Sequence, residues 1–134
     1  SREPGHAGIA DLVRGTASFG EIISRDQFSR LHLVTAGRVE GEPDDLMASP
    51  PLAAAVDALA QSYDHLVIDG GVQSEASAQL APMAPRAVLV GGDATAEAVQ
   101  ALSDRLRSQG FLDVTILAGP VPQLDYAASR SAAA

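Results

Sequence analysis

Apolar positions recur with a helical period in some stretches of this chain and run together in others, and the two kinds alternate. Ile9, Leu12 and Val13 share one side of a short helix predicted over 8–15, with Gly15 placed for its C-terminal turn. Ser18 and Glu21 have capping-box spacing and open a second short helix through Ile22 and Ile23. Residues 31–36, aliphatic and β-branched and closed by Gly37, read as a first strand. A polar connection follows over 38–49, holding Gly41 and Pro43 and a helical turn at 44–48. Leu52, Val56, Leu59 and Tyr63 form the stripe of an amphipathic helix whose first turn tolerates Pro50 and Pro51.

The alternation continues to the end of the chain. Residues 65–69 read as a second strand halted by Gly70 and Gly71, and a helix over 74–80 leads through Pro82 and Pro85 to a third strand at 87–90. Asp93 is the expected cap of the next helix, with Val99, Leu102 and Leu106 on one face and Gly110 at its end. Residues 114–117 make a fourth strand. Strands separated by helices imply right-handed crossovers, so the expected fold class is α/β: three layers, a mainly parallel sheet of about four strands, and helices on both faces. A length of 134 residues suits a single domain over 1–134, read here as a fragment of a larger chain, with 126–134 expected to fray.

Composition narrows the chemistry. All nine cations are Arg, against seventeen Asp and Glu, for a net charge of −8. That balance repels a phosphate backbone, so nucleic acid is not an expected partner, and a nonspecific anionic surface is equally disfavoured. The absence of lysine excludes Schiff-base, P-loop and receiver-type chemistry within these residues. The absence of cysteine excludes disulfides and thiolate metal sites and fits a reducing compartment; the chain reads as cytoplasmic. No apolar run approaches the roughly 20 residues that span a bilayer, so no direct membrane insertion is expected.

In a parallel sheet, ligands gather beyond the carboxyl ends of the strands. The apolar run into Asp69 fits a Walker B strand, whose carboxylate holds Mg²⁺; an ordinary buried strand ending at a turn gives the same string. Asp69 is therefore the candidate metal residue, and Asp69, Gly70 and Gly71 are the candidate nucleotide-binding residues, the glycines admitting phosphate to backbone N–H groups. Arg38 lies on the same predicted edge and could meet a phosphate or a carboxylate. His6, His32 and His65 are too scattered for a ligand cluster, and no Gly-x-Ser-x-Gly elbow is present. Tyr126 is a candidate phosphoacceptor, and no catalytic residue is assigned.

The order of segments resembles a known family. Residues 8–15 (GIADLVRG) are similar to the "GLADLLxG" segment of the bacterial exopolysaccharide and capsular polysaccharide tyrosine autokinases, the cytoplasmic P-loop domains of succinoglycan-transport-like proteins. Residues 31–37 resemble their "LxVLPAG" strand, 43–50 (PDDLMASP) their "NPAELLxSP" segment, and 63–69 (YDHLVID) their "YDxVIID" Walker B strand. The following strand and helix match in order and length, so the resemblance covers about 8–117. It implies a partial P-loop NTPase-like fold.

The departures also carry meaning. The Walker A loop with its lysine and a second Asp-bearing strand, which the family places before the segment corresponding to Gly8, are not in these residues. Gly70-Gly71-Val72 stands where the family has Thr-Pro-Pro, the chain has no asparagine near a purine position, and the terminal tyrosine cluster is reduced to Tyr126. The resemblance with these departures implies a non-catalytic interaction or regulatory module of an exopolysaccharide biosynthesis and export protein, with a degenerate nucleotide site and no cofactor. The alternative is a fragment of an active ATP-dependent tyrosine kinase whose P-loop lies upstream, in which case Mg-ATP is the cofactor. The expected partners are a second copy, invited by an uncovered sheet edge, or the membrane-bound chain-length determinant portion, which would place the chain at the inner face of the plasma membrane.

Overall fold

The architecture was read from a computed structural model that describes residues 7–118. One compact unit ends at Met83 and a second begins at Ala84. In the first, α1 (Ile9–Val13) is followed by α2 (Phe19–Ile22), β1 (Ile23–Arg25), β2 (His32–Val34), α3 (Pro43–Met47), α4 (Pro50–Ser62) and a 3₁₀ helix at Glu75–Leu80. In the second, β3 (Arg86–Gly92), α5 (Ala96–Ser108) and β4 (Asp113–Ala118) form a strand-helix-strand unit.

The second unit has the predicted strand-helix-strand order with parallel strands. β3 and β4 pair in parallel, with Val88 beside Thr115 and Val90 beside Leu117. Alternation along the strands turns Leu89 and Val114 toward α5, which returns Val99, Ser103 and Leu106 to the same interface. Each large apolar side chain buried there contributes about 1.5–3 kcal/mol. The helix is punctuated by its own sequence. Ala98 N–H donates to the Thr95 hydroxyl at 3.1 Å, and the helix ends with Phe111 N–H on the Leu106 carbonyl and Gly110 N–H on the Arg107 carbonyl. That paired closure needs a left-handed residue between them, and Gly110 supplies it at φ 113°. Phe111, buried just beyond, completes the motif.

In the first unit α4 buries Leu52, Ala55, Val56 and Leu59, and α1 packs against it. Ser49 caps α4 by accepting from Leu52 N–H, and Pro50 and Pro51 occupy the first turn, where their missing donors cost nothing. The Ser18 and Glu21 pair forms as expected: the Glu21 carboxylate accepts from the Ser18 N–H and hydroxyl, both at 3.0 Å.

The structure corrects several expectations. Among the described residues the parallel sheet has two strands rather than about four. Residues 31–36 yield only His32–Val34, paired antiparallel with β1, whose first residue Ile23 was expected to end a helix. The β-branched pair Ile22-Ile23 explains this, since a one-turn helix gains too little to propagate into residues that prefer extended backbone. Residues 65–69 form no strand, and Val67 is 90% exposed. A strand exists only by pairing, and no described neighbour hydrogen-bonds this run. Within the second unit α5 covers one face of the β3–β4 pair, and Val88 and Val90 on the other are 62% and 52% exposed. Asp93 is not the α5 cap, because Ala94 N–H turns back to the Gly91 carbonyl and the helix starts two residues later at Thr95.

Candidate functional site

Asp69 is exposed and its carboxylate is used locally. Its Oδ1 accepts from Gly71 N–H at 2.9 Å, a side-chain turn that Gly71 permits by adopting φ 70°. Gly70 lies against Leu80, whose Cδ1 would sit 3.0 Å from an added Cβ. The three residues are thus one turn following an extended apolar segment, with one carboxylate oxygen committed to its own backbone. Among the described residues no three His, Asp or Glu side chains gather as a metal site. Tyr126 lies outside the described residues.

A denser polar centre sits where α1 meets the loop after β2. Backbone crosses backbone there: Ile9 N–H donates to the Thr35 carbonyl at 2.9 Å and Ala10 N–H to the Ala36 carbonyl at 3.0 Å. Gly8 and Gly37 make the crossing possible, because a Cβ on either would overlap the other's backbone. The Asp11 carboxylate then gathers the donors of both segments, accepting from Gly8 N–H at 2.8 Å, from Arg38 N–H at 3.4 Å and from the Arg14 guanidinium. Arg14 also donates to the Arg38 carbonyl. Gly8 N–H, with lesser help from Arg38 N–H and the Arg14 charge, holds the Asp11 carboxyl below the usual carboxylate range against the opposing effect of burial.

Sequence reading placed Arg38 on a ligand edge. In the structure it is the backbone of Arg38, not its guanidinium, that joins this centre. Asp11 and Arg14 were missed as a pair; their i, i+3 spacing on a predicted helix was the available signal. His32 and Tyr63 are brought together across 31 residues, with Nδ1 and the phenol oxygen 2.7 Å apart and rings edge to face at 5.4 Å. Tyr63 therefore ends the α4 stripe with its hydroxyl partnered, while His65 lies exposed. Beside α1 and α3 opens a cleft of about 180 Å³, lined by the apolar Ala10, Val13, Val39 and Leu46 and by Arg14, Glu40, Asp45 and Ser49.

The fold is similar to that of a solved structure. The VpsO kinase domain superposes with a TM-score of 0.76 over 87% of this chain and 60% of its own, at 24% identity. In sequence, the chain is 29% identical over 66 residues, 49% of its length, to a Staphylococcus aureus protein described as "Putative tyrosine-protein kinase CapB". The chain spans 29% of the length of that curated relative. No protein-family model matches the chain. Among the described residues no helix is long and apolar enough to cross a membrane.

Proposed function

We infer that this chain is a non-catalytic interaction or regulatory module of an exopolysaccharide biosynthesis and export protein, built on the autokinase fold with a degenerate nucleotide site. The observation that carries the reading is the state of the Walker B-like position: Asp69 folds onto Gly71 N–H, and no lysine exists in the 134 residues to meet a phosphate. Mg²⁺ completes its octahedral shell with phosphate oxygens, so a lone carboxylate without a phosphate cradle holds it weakly. Phosphoryl transfer rests on positioning and charge neutralisation, and the described residues supply neither at Asp69. On this reading the described residues alone do not hold Mg-ATP. On this reading the chain acts by assembly, with a second copy or with a membrane-bound chain-length determinant at the inner face of the plasma membrane.

A second reading is favoured by one observation, the likeness to a protein described as a tyrosine kinase of which this chain spans 29%. Here the same residues are part of a working enzyme whose P-loop is supplied by preceding sequence, and Asp69 turns outward to Mg-ATP. Thermal denaturation of the 134-residue chain with and without Mg-ATP tests the first reading. No change in Tm is expected, and Asp69→Asn leaves the result the same. A stabilisation of several degrees that Asp69→Asn removes overturns it, because a ligand present well above its Kd stabilises the native state by linkage.

A further inference from the structure

The turn after the exposed apolar run holds the chain's single Asp-Gly step, Asp69-Gly70. Aspartate before glycine is the pairing in which a backbone nitrogen most readily reaches the preceding side chain, because no Cβ on the second residue blocks the approach. In a folded protein the reaction also needs a free nitrogen and backbone that can turn to meet the carboxyl. Both are present here. Asp69 and Gly70 are exposed, and residues 65–74 form neither helix nor strand. Among the described residues nothing accepts from Gly70 N–H; the local bond runs instead from Gly71 N–H to Asp69 Oδ1 at 2.9 Å. The ring closed by that bond includes the Gly70 nitrogen, so the Asp69 side chain is already folded back over the peptide unit that would attack it. Other aspartates lack these conditions. Asp93, also exposed at a turn, precedes Ala94, whose Cβ crowds the nitrogen and whose N–H is committed to the Gly91 carbonyl at 3.0 Å. Asp11 precedes Leu12, whose N–H is held by the Gly8 carbonyl at 3.2 Å.

We propose that Asp69 is a site of spontaneous isomerisation to isoaspartate through attack by the Gly70 nitrogen. The nitrogen bonds to Cγ of the protonated carboxyl, and its proton and the carboxyl hydroxyl depart together as one water, closing a succinimide. Water then reopens the ring. Cleavage of the new Cγ–N bond regenerates aspartate, whereas cleavage of the original peptide bond between Asp69 and Gly70 leaves the chain running through Cγ. One water leaves and one enters, so the product has the mass of the starting chain and no oxidant or cofactor is consumed. The main chain becomes one methylene longer, and the free carboxylate stands directly on Cα, where it loses its bond to Gly71 N–H. The Walker B-like carboxylate is thus displaced as the protein ages. The proposal does not rest on nucleotide binding and stands whichever reading of that site holds.

The test is to hold the folded 134-residue protein for several weeks at body temperature in mildly acidic buffer made with heavy-oxygen water, then to map its peptides by mass spectrometry. A free peptide of residues 63–74 is incubated alongside. The peptide that carries residue 69 is expected to split into two chromatographic forms of equal sequence mass, one with isoaspartate backbone fragments at 69 and with heavy oxygen incorporated. Asp93 should remain unmodified. Gly70→Ala should slow the accumulation about tenfold or more, because its Cβ blocks the nitrogen. Asp69→Glu should abolish it, since its longer side chain cannot close the five-membered imide. Circular dichroism establishes that the variants fold; if contact with Leu80 prevents this for Gly70→Ala, Asp69→Glu serves alone. A folded chain that accumulates less than about a tenth of the free peptide's isoaspartate overturns the proposal, because the fold then shields the site. Equal modification at Asp93, product without heavy oxygen, or a folded Gly70→Ala that reacts as fast as the wild type also overturns it.

Discussion

Replacing Gly8 with alanine tests whether the α1 crossing organises the first unit. Gly8 has φ −135°, a conformation any residue adopts, so the penalty is contact alone. The added methyl would overlap the Gly37 nitrogen, the Thr35 carbonyl oxygen and the Gly37 Cα. All three are backbone atoms, and none can rotate aside. Relief requires α1 to lift from the loop, which breaks Ile9 N–H to Thr35 O and Ala10 N–H to Ala36 O. Those bonds contribute about 1 kcal/mol each, and overpacking adds about 1–3 kcal/mol, giving a loss of about 3–5 kcal/mol. Against a domain stability of about 5–15 kcal/mol that is a large fraction. With a urea m-value of about 1–2 kcal/mol/M, the midpoint should fall by about 1.5 M or more. The chain has no tryptophan, so far-ultraviolet circular dichroism is the probe. Gly20→Ala is the control: its Cβ meets nothing within 4 Å and it lies inside α2, so the midpoint should hold or rise slightly. If Gly8→Ala costs no more than Gly20→Ala, the crossing is not a tight junction and the argument from it fails.

Other outcomes follow from the same contacts. The Asp11 carboxyl is held below its ordinary value in the folded chain, so its contribution is present above the usual carboxylate range and is lost as pH falls through the depressed folded value. Asp11→Asn should therefore flatten the acid limb of a stability-versus-pH curve while leaving its alkaline limb in shape; an unchanged acid limb would refute the assignment. Thr95→Ala should cost about 1 kcal/mol in thermal or urea unfolding, whereas Asp93→Ala should cost little, because only Thr95 accepts from the first turn of α5. Equal losses at the two positions would mean that the cap is shared.

Much of the candidate site was visible in the chain as residue types and very little of it as geometry. The Asp69-Gly70-Gly71 turn was legible because glycine after an apolar run marks a reversal under any topology. That the carboxylate would bond Gly71 rather than face outward was not, since the same string serves either arrangement. The Asp11 centre was hidden for a different reason: it draws on Gly8, Arg14 and Arg38, and the backbone of Arg38 is 27 residues away. Backbone donors carry no signature in the side-chain pattern.

Local periodicity by itself determined where the long helices lie and how they stop. Leu52, Val56 and Leu59 recur with a helical period, Ser49 with two prolines starts one helix, and Gly110 ends the other, all within a turn or two of chain. The short apolar runs at 87–90 and 114–117 also determined β3 and β4, because two such runs joined by one long helix have a parallel neighbour close at hand. Tertiary structure alone decided what became of residues 23–25, 31–36 and 65–69. Residues 31–36 and 65–69 both read as strands, yet β2 found a partner in 23–25 and 65–69 found no described neighbour. A strand is stabilised by hydrogen bonds to another segment, so its existence depends on which segments meet, a quantity that no window of sequence contains.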